Sequence, residues 1–201
     1  MLQKVKPLAQ RPRASFGFDG STSGDWTALK GETEDGLLFT PTYGPDDRLT
    51  IWDPGAWGGE VPRSEVAAAV AEMFDTYNVG VLFADPPLWR TEIDEWRALH
   101  GDKKVLDFQT NHITRMFTAL DRFTSDLSTG ALQHDGCQTT TIHVANARRM
   151  ARPGQRYILG KPNQKQKIDV AIASVLAHEA AAFSRAGDWK QKAAGKYTYF
   201  V

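Results

Sequence analysis

Cysteine is almost absent: Cys137 is the only one in 201 residues. That excludes an internal disulfide and any cysteine-rich zinc site, and it suits a reducing cytoplasm. Long apolar runs are missing too, since no stretch approaches the roughly 18 residues of a membrane span. The start, Met1 to Pro7, has positive charge but no apolar centre, so no export signal is recognisable. Neither a membrane partner nor secretion is expected. Internal repeats and low-complexity tracts are also lacking, and so is net charge, with 24 basic residues against 24 acidic ones.

What is present fits one globular domain. The chain is 41% hydrophobic and 24% charged, long enough to bury a substantial core. The charge is unevenly placed. From Arg148 onward eleven basic residues face three acids, Asp169, Glu179 and Asp188, so the first 147 residues carry an acidic surplus of eight. This asymmetry suggests a basic face for a polyanion beside an acidic body that can include a metal site, although ordinary solvated faces have the same composition.

Residues 1–13, rich in Lys, Arg, Gln and Pro, read as an arm or interdomain linker, residues 14–187 as the domain, and residues 188–201 as a C-terminal tail. Phe16 and Phe18 flank Gly17 in a strand that stops at Asp19-Gly20-Ser21. Trp26 to Glu32 reads as a second strand, and Asp35-Gly36 is a hairpin turn leading back through Leu37-Leu38-Phe39. Arg48 to Trp52 is another short strand, so the opening third is an antiparallel meander. The period then changes. Val66, Val70, Met73, Phe74 and Tyr77 recur at spacings of three and four, marking an amphipathic helix after Pro62. Val79 to Ala84 is a nearly unbroken apolar strand, of the kind buried on both faces, and it ends at Asp85-Pro86-Pro87.

Thr91 and Asp94 have the spacing of a capping box, opening a helix that carries Ile93, Trp96 and Leu99 and stops at Gly101. Lys103 to Phe108 reads as a strand. Ile113, Met116, Phe117, Leu120, Phe123 and Leu127 mark a long helix closed near Gly130. A short helix is expected from Thr140 to Arg149 and a strand at Arg156 to Leu159, followed by the basic loop Gly160 to Lys167. In the last helix Asp169, Ile172, Ala173, Leu176, Ala180 and Phe183 share one face, which places an acid at the end of an apolar stripe.

Three of these acids have a possible common purpose. Asp19 and Asp85 each close a strand, and Asp169 opens the last helix. Taken singly, the first two are ordinary turn formers and the third is a charge favoured by the helix dipole. If the two strands are neighbours and the last helix packs across them, the three carboxylates meet. Uncompensated, they would repel until one took a proton; divalent cations relieve this, and hard ions with oxygen ligands, Mg²⁺ or Mn²⁺, fit carboxylates. Two such ions suit phosphodiester cleavage, and the basic loop beside Asp169 gives a phosphate substrate a reason to bind.

Five segments in order then resemble a known family: Gly17-Phe18-Asp19-Gly20-Ser21, Leu49-Thr50-Ile51-Trp52, Phe83-Ala84-Asp85-Pro86-Pro87-Leu88-Trp89, His143-Val144-Ala145-Asn146-Ala147 and Lys167-Ile168-Asp169-Val170-Ala171-Ile172-Ala173. Together they look like the C-terminal nuclease domain of the large terminase subunit of tailed phages, over roughly residues 14–187. The resemblance implies an α/β, RNase H-like fold, a central mixed sheet of antiparallel hairpins then parallel strands flanked by helices. It also implies a two-metal endonuclease acting on double-stranded DNA in the host-cell cytoplasm, with Mg²⁺ or Mn²⁺ on Asp19, Asp85 and Asp169. Lys161, Lys165 and Lys167 would then lie along the DNA backbone. In that family the partners are a portal, a small terminase subunit and a packaging ATPase domain. The chain departs from the full-length pattern: it has no Gly-x-x-x-x-Gly-Lys-Ser/Thr loop, since Gly154 to Lys161 has other spacing and is followed by proline.

Other residues read first as structural. Asp25, six residues after Asp19, is a loop acid, with a fourth or supporting acid of the set as the alternative. His143 is a packed or hydrogen-bonded histidine rather than a base; Trp89, Trp96 and Phe123 are packing groups, and Cys137 is inert. Alternative functions are a junction-resolving nuclease of the same fold and a docking module without catalysis. A third is a phosphotransferase, because Gly-Phe-Asp-Gly-Ser-Thr-Ser also resembles the first phosphate loop of sugar kinases and actin.

Overall fold

The structure is a computed structural model and describes residues 8–187 and Trp189. Most of the expected C-terminal tail and residues 1–7 of the expected arm lie outside the described residues. In chain order the elements are β1 (Arg13–Asp19), β2 (Thr27–Thr33), β3 (Leu37–Phe39), β4 (Thr42–Tyr43), β5 (Arg48–Leu49), β6 (Ile51–Trp52), α1 (Arg63–Thr76), β7 (Asn78–Ala84), α2 (Arg90–His100), β8 (Val105–Asp107), α3 (Ile113–Thr129), β9 (Gln133–His134), α4 (Gln138–Asn146), β10 (Arg148–Arg152), β11 (Arg156–Gly160) and α5 (Asp169–Ala186).

Seven strands form one sheet in the order β8, β7, β1, β2, β3, β9, with β6 also paired to β2. β2 is antiparallel to β1, β3 and β6, whereas β7 is parallel to both β1 and β8. The α/β class and the mixed sheet of hairpins then parallel strands are therefore as the sequence implies. Two short ribbons, β4–β5 and β10–β11, stand apart from it.

Side chains alternate across a strand, so β1 divides the core into two layers. Phe16 and Phe18 point to one face, where they pack with Val66, Val70 and Met73 of α1 and Ile93 and Trp96 of α2. Phe18 meets Trp89 and Trp96 edge-on, each at 5.2 Å between centroids, contacts of about 0.5–1.5 kcal/mol apiece beyond simple burial. That anchors the end of β1. The opposite face carries Gly17, with α5 lying on it. Val81 and Phe83 of β7, Met116 and Leu120 of α3, and Leu176 and Ala180 of α5 make up the second core on this side.

Under α5, β2 also presents two buried charges. Lys30 Nζ donates to Thr40 Oγ1 at 2.6 Å and Thr140 Oγ1 at 3.1 Å, with Asp135 at 3.8 Å. Glu32 is met by His178 Nδ1 at 2.7 Å and Arg185 Nη1 at 2.8 Å, both from α5. A buried charge is tolerated only when answered in this way, so the two Glu32 contacts fix where along β2 the helix lies.

Several local expectations change. α2 is capped by Trp89 without a side-chain bond, because Asp94 is drawn into ion pairs with Arg90 and Arg97 instead of capping. Leu99 (76% exposed) and Phe183 (54% exposed) fall off the buried stripes to which the periodicity assigned them. The Arg48 to Trp52 strand breaks at buried Thr50, whose amide turns to Pro41 O and whose hydroxyl donates to Leu29 O. α4 ends at Asn146, and Arg148 to Arg152 is a strand paired with β11, where a helix end had been expected. The end of the expected arm is held on the domain, with Arg11 Nη1 donating to Phe74 O at 2.7 Å and β1 starting at Arg13.

Candidate metal centre at the end of the first strand

Strand register brings two of the three acids together. In the parallel pair, Phe18 lies opposite Ala84, and the Asp85 amide donates to Phe18 O at 3.0 Å, so Asp19 and Asp85 leave adjacent strand ends side by side. Asp19 shares its face with Gly17, and Asp85 shares its face with Phe83; both are on the α5 side. The third acid arrives with that helix. A Cβ placed on Gly17 would stand 2.2 Å from Ala177 N and 2.4 Å from Ala173 O, so glycine allows the α5 backbone to lie directly on β1. Asp169, one turn before Ala173, is the first residue of α5 and reaches the same edge.

The electrostatics record the convergence. Asp19 is pushed well above the usual carboxylate range, first by burial and then by the charges of Asp169, Asp85 and Asp25. Asp169 is also raised, by burial and then by Asp25, against opposition from its own amide and that of Trp26. Its Oδ2 is buried and has no hydrogen-bond partner. Asp85 is raised by burial, partly offset by Thr110, which donates to it from Oγ1 at 2.6 Å and from its amide at 3.2 Å.

Asp25 lies in the loop between β1 and β2, as expected, and its charge also acts on Asp19 and Asp169, in line with the alternative of a supporting acid. Burial pushes it up, but hydrogen bonds from Lys161 and Lys167 and their positive charge outweigh this and leave it below the usual range. Lys167 Nζ reaches Asp25 Oδ1 at 2.8 Å, and Lys161 bonds the same oxygen. Two of the three lysines singled out in the sequence thus sit at the site on a carboxylate, while Lys165 is exposed in the loop. With Asp85 held by Thr110 and Asp25 by lysines, the acids share one edge without closing up. Among the described residues, no three His, Cys, Asp or Glu side chains form a ready ligand set for an ion.

His143 is the buried histidine the sequence suggested. It is 2% exposed, tilts against Trp26 at 5.0 Å, and its Nδ1 accepts from the Val170 amide at 3.1 Å. Burial, then the charge of Lys167, pushes it down to about 4. It is therefore a neutral acceptor supporting the first turn of α5. Thr110 was not foreseen, for it has no motif; only the parallel placement of β8 next to β7 brings the loop after Phe108 against Asp85.

The fold is one already known from solved structures. The chain superposes on the large terminase nuclease of thermophilic phage G20c with a TM-score of 0.64 and 12% identity, covering 84% of this chain and 82% of that one. The HK97 bacteriophage large terminase gives 0.65 at 18% identity, covering 88% of this chain and 40% of that one. The G20c nuclease with bound magnesium gives 0.60 at 11% identity over 85% and 82% of the two chains. The fold is thus the large-terminase nuclease fold, RNase H-like as the resemblance implied. In sequence, the chain is 33% identical over 187 residues to the Gene 13 protein of Mycobacterium phage L5, which is 87% of this chain and 30% of that protein. It therefore spans about 30% of the length of that relative. No protein-family model matches it. Among the described residues no helix is long and apolar enough to cross a membrane.

Proposed function

We propose that this chain is the nuclease part of a phage DNA-packaging terminase, an endonuclease that hydrolyses double-stranded DNA with two divalent ions, Mg²⁺ or Mn²⁺. The observation that carries the reading is Asp19: a carboxyl buried at a strand end, raised first by that burial and then by three neighbouring acids, is costly to ionise unless cations share the site. The donor set is all oxygen, and the partnerless buried Oδ2 of Asp169 offers a lone pair where a hard cation would want one. Asp19, Asp85 and Asp169 would hold the ions. Bound there, they would activate a water molecule and stabilise the charge that develops on the phosphate oxygens.

The chain's own groups do the rest. Thr110 orients Asp85, and the Val170 amide on His143 steadies the helix turn from which Asp169 projects. Lys165, exposed in the loop, and the remaining donors of Lys161 and Lys167 beside Asp25 would meet the DNA backbone without reading its sequence, so binding should weaken steeply with salt. Likeness to the G20c nuclease, solved with magnesium and with cobalt, supports divalent-ion use. The wider setting belongs to the same proposal: an ATPase domain, a portal and a small subunit as partners in the host cytoplasm. The test is direct. Purified protein should nick or linearise plasmid with Mn²⁺ or Mg²⁺, and Asp19→Ala should abolish cutting while its circular dichroism stays native. Undiminished cutting by a folded Asp19→Ala protein removes the assignment.

A further inference from the structure

α5 has no cap of its own. Its N-cap position is Ile168, whose side chain holds no acceptor and forms no capping bond, although the first amides of a helix need partners from outside it. An acid at a helix start is commonly spent on those amides, yet Asp169 Oδ2 is buried and without a partner. The missing cap comes from α4. His143 and Asn146 stand three residues apart, on one face of that short helix. His143 Nδ1 accepts the Val170 amide at 3.1 Å, and Asn146 Nδ2 donates to Lys167 O at 2.9 Å. Only Ile168 and Asp169 lie between the two bonded residues, so α4 holds the chain on both sides of the acid. Asn146 Oδ1 also accepts from Gln166 Nε2 at 3.2 Å, which extends the hold into the basic loop.

No apolar stripe holds α4 in place. Of its residues only His143 is buried, while Ile142 and Val144 are exposed. Polar contacts fix its other end instead. Asp135 Oδ1 accepts the Cys137 amide at 2.9 Å, immediately before the helix, and Asp135 Oδ2 accepts the Thr40 amide at 2.6 Å. Buried Lys30 donates to Thr140 Oγ1 at 3.1 Å, in the first turn of α4. Lys30 lies opposite Gly17 in the β1–β2 register, and Gly17 is the residue on which the α5 backbone rests. The contacts Lys30 to Thr140 and Asn146 to Lys167 thus tie the start of α5, through α4, to the sheet that carries Asp19.

We propose that Asn146 is a positioning residue for the metal centre: with His143 it makes α4 an external cap for α5, which leaves the Asp169 carboxylate free for a cation and fixes its place relative to Asp19. The proposal rests on the metal-dependent reading and deepens it. Groups that orient a metal ligand typically contribute about 10–100-fold to metal affinity. The test compares wild type, Asn146→Ala and Ile142→Ala, the last at an exposed position of the same helix. Calorimetric titration of Mn²⁺ gives the affinity, hydrogen exchange over residues 167–172 in metal-free protein reports the cap, and thermal melting checks folding. Asn146→Ala should bind Mn²⁺ about 10-fold more weakly and exchange faster over 167–172. Ile142→Ala should match wild type in both. Should Asn146→Ala fail to fold, Thr140→Val decides, since it releases the far end of α4 from Lys30 and leaves His143 and Asn146 in place; the same two changes, smaller in size, are expected. A folded variant that loses melting temperature but keeps wild-type Mn²⁺ affinity overturns the positioning role, whether or not its exchange is faster. Wild-type protein that binds Mn²⁺ beside such a variant leaves the metal reading standing. Wild-type protein that binds no Mn²⁺ overturns both.

Discussion

Gly17 and Ala177 meet backbone to backbone: a methyl group on Gly17 would stand 2.2 Å from the Ala177 nitrogen. Main-chain atoms of a helix cannot rotate out of the way, so Gly17→Ala must lift α5 from β1. The expected cost is about 1–3 kcal/mol, typical of overpacking, which in a chain of this size lowers the melting temperature by a few degrees. Because Asp169 starts the lifted helix, cutting should fall further than stability alone would account for. Thermal denaturation combined with plasmid cleavage checks this, and a variant that melts and cuts like wild type would show that the helix does not rest on this strand.

Asp19 is predicted to weaken the fold when no cation is present. Its folded carboxyl is raised, so between the ordinary carboxylate value and the raised one the folded state binds more protons than the unfolded chain. Stability therefore falls as pH rises through that window, and the deficit is fully present above it. Asp19→Asn removes the charge. In chelator it should melt above wild type at neutral pH, and the two curves should converge in acid. Adding Mn²⁺ should then raise the wild-type melting temperature and leave Asp19→Asn nearly unmoved. A variant that is less stable than wild type at neutral pH in chelator would contradict the repulsion.

These two cases also mark how far the sequence could be read. A strand ending in Asp19, an apolar strand ending in Asp85 and an inward acid opening the last helix were all legible, because hydrophobic period reports which side of an element is buried. Their meeting also depended on strand order, and only the parallel pairing of β1 with β7 places the two ends together. The ribbon was half seen. Arg156 to Leu159 reads as a strand, but Arg148 to Arg152 has a single apolar pair in an arginine run, and its partner strand is what makes it extended. For Asp25 the sequence offers a loop acid and a supporting acid side by side and cannot decide, because its lysine partners lie 136 and 142 positions away and no local pattern encodes such a contact. Thr110 was invisible for the same reason.

Thr110 should matter to metal binding more than to folding. Its hydroxyl donates to Asp85 Oδ2 at 2.6 Å and opposes the upward push of burial on that carboxyl. Thr110→Val keeps the shape and the backbone amide bond but deletes the hydroxyl donor. The fold should lose about 1 kcal/mol, the usual net value of one hydrogen bond. Asp85 would then be harder to ionise and less well aimed, so the Mn²⁺ concentration for half-maximal cutting should rise severalfold while cutting at saturating Mn²⁺ changes less. Calorimetric titration of Mn²⁺ gives the same answer without catalysis. Unchanged Mn²⁺ affinity in both measurements would mean that Thr110 does not position the carboxylate.

His143 gives a prediction of the opposite sign to Asp19. Its Nδ1 accepts the Val170 amide at 3.1 Å inside the protein, and burial, with the charge of Lys167, pushes it down to about 4. The unfolded chain takes up a proton at the ordinary histidine value, whereas the folded protein resists until well below it. The neutral ring's contribution is thus fully present above the ordinary value and is lost as pH falls toward about 4. His143→Gln offers an amide oxygen as acceptor but has nothing to titrate. Wild type should lose more melting temperature than His143→Gln between about pH 7 and about pH 5, a range in which Asp19 is common to both proteins and pulls the other way. In the folded protein the ring stays neutral over that range, so loss of the acceptor under the first turn of α5, and with it the loosening of Asp169, should set in only near pH 4. Parallel melting curves for the two proteins would show that this histidine does not hold the helix end in its neutral form.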